Sequence, residues 1–219
     1  MSMSYKTIVF DLDGTLLNTL EDLTDAVNYS LREHNKPERT IEEVCRFVGN
    51  GIAKLVERAV PENTSRQECE RILQTFRKYY GEHCRDKTAP YDGICDVLHD
   101  LRQKGIKLAV VSNKAEFAVQ ELIPYYFGNL IEVAKGENEQ QGIRKKPAPD
   151  MVDAALRELG SDKSGAVYVG DSDVDLMTAK NAGISCIGVS WGFRGRKFLE
   201  KNGAEMIADE PKELLKFVY

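Results

Sequence analysis

The chain has 219 residues, 42% of them hydrophobic and 30% charged, and carries a formal net charge of −5. That length suits one sizeable core plus a smaller appended unit, and the composition is that of a soluble globular protein. Thirty basic residues against 35 acidic ones form no basic stripe, which counts against a nucleic-acid partner, and no run approaches the roughly 18 apolar residues of a membrane span.

Met1 to Lys6 lacks a basic segment followed by an apolar run, so no secretory signal is read there. The five cysteines (Cys45, Cys69, Cys84, Cys95, Cys186) include no CxxC pair, and reduced thiols in a cytoplasm are expected. His34, His83 and His99 are scattered without metal-ligand spacing.

The first strong element is a buried strand, Tyr5 to Phe10, that ends abruptly at Asp11-Leu12-Asp13-Gly14-Thr15. From about 19 to 87 the pattern is helical only, with periodicity near 20 to 34, 41 to 47, 51 to 60 and 65 to 84. Beyond it, apolar runs at 106 to 111, 130 to 134, 165 to 169, 184 to 189 and 204 to 208 predict strands. They alternate with helices over 92 to 104, 115 to 127, 148 to 160, 173 to 182 and 211 to 217. Gly105, Gly160 and Gly183 fit helix stops, and Pro211 fits a first helical turn. The fold class is therefore α/β: a doubly wound, Rossmann-like parallel sheet from residues 1–18 and 88–219, with residues 19–87 inserted as an all-helical cap domain.

Three features sit just after predicted strands, whose exits converge on one rim of an open parallel sheet. Asp11 and Asp13 leave the first strand through a glycine turn. A carboxylate with a reference pKa of about 3.9 is ionised at neutral pH, so Asp11 needs no base to attack phosphorus. Asp13 is suited to protonate the leaving alkoxide and then deprotonate the attacking water. In Gly170-Asp171-Ser172-Asp173-Val174-Asp175, Asp171 is placed as a Mg²⁺ ligand, with Asp175 one helical turn on in an outer role. Ser112 and Asn113 offer a hydroxyl and a helix-start amide to phosphate, and Lys146, ahead of Pro147 and Pro149, offers a point charge. Taken singly, DxDGT reads as a solvated turn and Ser112-Asn113 as a helix cap. The ordered conjunction at successive strand exits favours a phosphoryl-transfer site.

These four stretches resemble motifs one to four of the haloacid dehalogenase superfamily, over the whole chain, and the helical insertion is similar to its C1-type cap. The resemblance implies Asp11 as nucleophile, Asp13 as general acid and base, and Ser112 and Lys146 on the phosphate. It also implies Mg²⁺ held by Asp11, the main-chain carbonyl of Asp13, and Asp171. Phe47-Val48-Gly49-Asn50-Gly51, Tyr79-Tyr80-Gly81-Glu82, Pro90-Tyr91-Asp92-Gly93 and Trp191-Gly192-Phe193 look like the phosphoglycolate phosphatase branch. That branch implies hydrolysis of a small phosphate ester, 2-phosphoglycolate foremost, by a monomer or homodimer. In the cap, Gly49, Asn50, Gly51 and Arg58 are candidate substrate contacts, with Arg58 equally suited to bracing the cap. Asn18 stands where many relatives carry aspartate, and the polar segment Gly136 to Arg144 departs from the shorter pattern of some relatives.

Other readings are a sugar-phosphate or nucleotide phosphatase or a pyrophosphatase of the same family, a phosphosugar mutase, a dehalogenase, and a non-catalytic binding module of the same fold. Mutases tend to carry Glu-Asp where this chain has Gly170-Asp171, and a dehalogenase has no task for Asp13. An intact set of catalytic groups argues against the binding module.

Overall fold

The computed structural model describes residues 5–138 and 142–218, so the expectations for Met1 to Ser4 and for Glu139, Gln140 and Gln141 lie outside the described residues. The chain divides into two compact units, Met1–Asn18 with Pro90–Tyr219, and Thr19–Ala89. Among the described residues no helix is long and apolar enough to cross a membrane.

The first unit is built on β1 (Thr7–Phe10), β4 (Lys107–Ala115), β5 (Val133–Glu137), β6 (Ala166–Gly170), β7 (Ser185–Val189) and β8 (Met206–Ala208), with helices that include α5 (Ile94–Gln103) and α9 (Arg196–Lys201); β2 (Leu17–Asn18) and β3 (Ala89–Pro90) are two-residue strands outside this sheet. The six longer strands form one parallel sheet in the order β5-β4-β1-β6-β7-β8. β1 lies between β4 and β6, with Thr7 to Phe10 in register with Lys107 to Val110 on one side and Ala166 to Val169 on the other. All four of its residues are buried, as an uninterrupted apolar strand requires when helices cover both faces. Alternate residues Val9, Ala109, Val111 and Tyr168 pack against Met151, Val152, Ala155 and Leu156 of helix α7 (Asp150–Glu158) and Ala179 and Ala182 of helix α8 (Asp173–Ala182). From β1 the chain builds β4 and β5 to one side and β6, β7 and β8 to the other. The strand order thus reverses beside β1, and a crevice opens at the carboxyl ends of the strands there.

Three sequence expectations need correction. The strand expected to end at Val111 runs on to Ala115, with a register shift against β5 between Val111 and Ala115. Helix α6 (Glu116–Phe127) begins only after it, so Ser112 and Asn113 lie in a bulged strand and offer no helix-start amide. The strand expected at 130 to 134 begins at Val133, because Leu130 closes the turn after α6 through a bond from its N–H to the Phe127 carbonyl. Pro211 opens a 3-10 turn, Pro211–Glu213, rather than the α-helix α10 (Leu214–Val218).

The second unit contains α1 (Leu20–Glu33), α2 (Ile41–Phe47), α3 (Ile52–Ala59) and α4 (Arg66–His83). Thr40 and Glu43 form a capping box at the start of α2, and the Ser65 hydroxyl caps α4. Leu23, Val27 and Leu31 of α1 and Ile72, Phe76 and Tyr80 of α4 recur at helical spacing and are buried. Asp22, 3% exposed, accepts bonds from the N–H groups of Lys87 and Thr88 and from the Thr88 hydroxyl at 2.7–3.2 Å, tying the two ends of the unit together. Replacing Asp22 with alanine removes the acceptor of the Lys87 and Thr88 N–H groups and of the Thr88 hydroxyl. Urea unfolding of that variant is expected to show a loss of about 3 kcal/mol, against about 1 kcal/mol for Asp22→Asn, which keeps an acceptor.

Candidate active site

The exits of β1, β4 and β6, with the loop before α7, bring the sequence-distant candidates together. Carboxylate oxygens of Asp11, Asp171 and Asp175 lie within 4.8 Å of one another, and all three residues are buried. Lys146, 3% exposed, places its ammonium 2.8 Å from Asp11 Oδ1, 2.8 Å from Asp175 Oδ1 and 3.1 Å from the Tyr168 hydroxyl. The main-chain N–H of Leu12 donates to Asp11 Oδ1 at 2.7 Å. On Asp175, Oδ2 accepts from the N–H and hydroxyl of Ser172 at 3.0 and 2.6 Å, forming a capping box that opens α8. Asp175 is therefore both a helix cap and the second anchor of Lys146.

Asn113 is committed elsewhere in this arrangement. Its amide donates to the Lys146 carbonyl at 3.0 Å and accepts from the Lys146 N–H at 2.8 Å, which fixes the main chain carrying the lysine. Ser112 is buried beside it, and its Oγ accepts from the Lys114 N–H at 3.3 Å. In the second unit, the Arg58 guanidinium donates to the carbonyls of Phe47 and Gly49 and to Asn50 Oδ1 at 2.7–3.3 Å. There it braces a turn in which Gly49, Asn50 and Gly51 all have positive φ, of 113°, 65° and 87°.

Two groups escaped sequence reasoning. Lys114 buries its ammonium (1% exposed) against Asp13 Oδ1 at 2.9 Å, beside a carboxylate that remains 16% exposed. The bulge in β4 produces this, and the lysine's place next to Ser112-Asn113 was the available signal. Tyr168 lies in the apolar strand β6, and its hydroxyl is within 3.2 Å of both Asp175 Oδ1 and the Val111 carbonyl. A lone phenol in such a strand was the corresponding sign.

Charge decides what the centre can hold. Three carboxylates, when ionised, exceed the one Lys146 ammonium beside them by two negative charges in a buried pocket. Burial pushes Asp11 up from the ordinary carboxylate value to about 7; Lys146 opposes this, while Asp175 adds to it. Burial, then Asp175 and Asp11, raise Asp171 well above its usual range. Burial works against the Lys146 ammonium, but Asp11 and Asp175 outweigh it and hold its pKa above the ordinary value. The expectation that Asp11 is fully ionised at neutral pH is thus qualified by burial, whereas the need for a cation beside it accords with the raised value. In the cation-free protein, protons take up charge that a small divalent cation would otherwise neutralise. Oxygen donors at this spacing fit such an ion.

Protons and cation then compete for the same oxygens. Below about pH 7 the folded centre holds protons that must leave as the cation enters, so affinity falls with acidity. Titration calorimetry with a divalent cation from pH 8 to 5.5 is expected to show affinity falling as the pH drops. The loss should approach about tenfold per pH unit for each proton displaced.

Comparison with known proteins agrees with this geometry. Residues 8–189 match the family model described as haloacid dehalogenase-like hydrolase. A phosphoglycolate phosphatase of Pseudomonas syringae pv. tomato is 34% identical over 218 residues, 96% of this chain and 78% of that protein. One from Haemophilus influenzae is 30% identical over 98% of this chain and 99% of its own. Among solved structures, a Lactobacillus delbrueckii subsp. bulgaricus protein provisionally assigned as a phosphoglycolate phosphatase aligns with a TM-score of 0.93 at 39% identity, covering 99% of both chains. CbbY from Rhodobacter sphaeroides, solved in complex with phosphate, aligns at 0.75 and 27% identity over 98% of this chain and 99% of its own. With the site's carboxylates and lysine at successive strand exits, the chain belongs to the haloacid dehalogenase-like hydrolases, as a phosphoric monoester hydrolase.

Proposed function

We propose that the protein is a Mg²⁺-dependent phosphatase that hydrolyses a small phosphomonoester, 2-phosphoglycolate foremost, through a phosphoaspartate on Asp11. The observation that carries this reading is the Lys146 ammonium 2.8 Å from both Asp11 and Asp175, with Asp171 close enough to share a cation with Asp11. The names of the phosphoglycolate phosphatases that the chain resembles favour the substrate.

Asp11 attacks phosphorus, forming an oxygen–phosphorus bond as the bond to the ester oxygen breaks. Asp13 supplies the proton that the leaving alkoxide takes. A water then attacks the phosphoaspartate, Asp13 receives its proton, and inorganic phosphate leaves as Asp11 is restored. Lys146 and the Ser112 hydroxyl hold phosphoryl oxygens, and Asn113 keeps the Lys146 main chain in place. Mg²⁺ held by Asp11, the Asp13 carbonyl and Asp171 would neutralise charge shared by Asp11 and the phosphoryl group. Gly49, Asn50 and Gly51 are retained as candidate substrate contacts, whereas the carbonyls of Phe47 and Gly49 occupy the Arg58 guanidinium. The Thr19–Ala89 unit would serve as the cap. Five cysteines with no disulfide among them support a reducing, cytoplasmic setting.

Hydrolysis is favoured over mutase chemistry at residue 170. A β-carbon there would lie 2.3 Å from Asp175 Cγ, so the glutamate of the mutase pattern cannot enter without displacing Asp175.

Asp11→Asn is expected to abolish turnover while the protein remains folded by circular dichroism; near-wild-type phosphate release would refute the nucleophile. Excess EDTA is expected to stop turnover, and Mg²⁺ to restore it. Asp13→Asn should lose about 100-fold or more in kcat with alkyl phosphates, and much less with an aryl phosphate whose leaving group needs no proton. A panel of phosphate esters compared by kcat/KM should rank 2-phosphoglycolate first, and a sugar phosphate or nucleotide at the top would replace it as the substrate.

A further inference from the structure

Trp191-Gly192-Phe193, one residue beyond the end of β7, take no part in the chemistry above, yet they touch both turns that carry it. The Trp191 indole N–H donates to the Thr15 carbonyl at 3.0 Å, on the turn that follows Asp11 and Asp13. The Phe193 main-chain N–H donates to Asp171 Oδ2 at 2.7 Å. Between them, Gly192 is pressed so closely into the site that a β-carbon there would meet the Gly14 carbonyl at 2.3 Å and Asp171 Cβ at 2.4 Å. Gly14, at φ +80°, faces the same junction: a β-carbon on it would lie 2.5 Å from Asp171 Oδ2 and 3.0 Å from the Phe193 ring. Three strand exits therefore meet around the Asp171 side chain with no room for a β-carbon at Gly14 or Gly192, and two hydrogen bonds hold them there.

We propose that Trp191-Gly192-Phe193 is a positioning clip that holds the Asp11–Asp13 turn and Asp171 at the separation of a shared divalent cation before the cation arrives. The proposal rests on the metal reading above. Asp11, Asp171 and Asp175 repel one another when ionised, and Lys146 bridges Asp11 and Asp175. The clip supplies a tie from Asp171 to the Asp11 turn that does not depend on charge. The Phe193 N–H engages one oxygen of Asp171 and so sets the direction in which the carboxylate faces the cation. A donor that orients a ligand in this way acts on affinity as well as on rate, because a loosened ligand set must be reassembled on binding.

Magnesium binding without substrate tests this. Calorimetry on the whole protein is compared for wild type, Trp191→Phe, which keeps an aromatic ring and loses the N–H, and Gly192→Ala, which forces the strand exits apart. Thermal unfolding in EDTA is followed for each. Trp191→Phe should weaken Mg²⁺ binding by about tenfold with its unfolding midpoint in EDTA unchanged, and Gly192→Ala should weaken it further. Wild-type affinity in a folded Trp191→Phe protein overturns the clip, as does a loss of affinity matched by an equal loss of stability in EDTA. Should Gly192→Ala fail to fold, Trp191→Phe decides alone. Failure of the wild-type protein to bind Mg²⁺ would overturn the metal reading, and the clip with it.

Discussion

The site depends on holding like charges together. Asp11, Asp171 and Asp175 converge out of water, where repulsion and lost hydration both oppose ionisation. One ammonium, on Lys146, sits at bonding distance from two of them. Remaining negative charge makes the pocket receptive to a divalent cation, and then to a phosphoryl group that the bare carboxylates would repel. Asp11 illustrates the consequence: burial lifts it toward protonation, and the Lys146 ammonium opposes that shift.

The parallel sheet makes this crowding affordable. Because β1 lies between β4 and β6 in register, the residues that follow each strand emerge side by side at the carboxyl edge. Main-chain groups then do much of the holding: the Leu12 N–H on Asp11, the Ser172 N–H on Asp175, the Phe193 N–H on Asp171. Such donors belong to the scaffold and lose little freedom when they bind, so the carboxylates are oriented by rigid elements rather than by long side chains. Lys146 is a partial exception, and its main chain is fixed in turn by both ends of the Asn113 amide.

Fold class and the central chemistry were legible in the chain. Apolar runs with β-branched residues mark the strands; Asp11 and Asp171 follow theirs directly, and Lys146 lies just ahead of a proline-marked helix start, which is why they could be grouped without coordinates. The reading failed where local pattern and long-range pairing disagree. Ser112-Asn113-Lys114 reads locally as a helix start, but pairing with β5 extends β4 through it as a bulge. That bulge buries Lys114 against Asp13, and a lysine beside two polar residues otherwise looks like surface. Arg58 shows the opposite case, a residue equally suited to binding or bracing that the turn at 47–51 engages in bracing.

By itself the sequence determined the order of strands and helices, the all-helical insertion and the identity of the charged groups, since periodicity and residue type are local properties. Tertiary structure alone decided which oxygen meets which nitrogen, and that the Asn113 amide pairs with the Lys146 main chain. It also decided how closely two glycines let three strand exits approach. Those outcomes depend on register and on burial, and both arise only when segments more than a hundred residues apart pack together and exclude water.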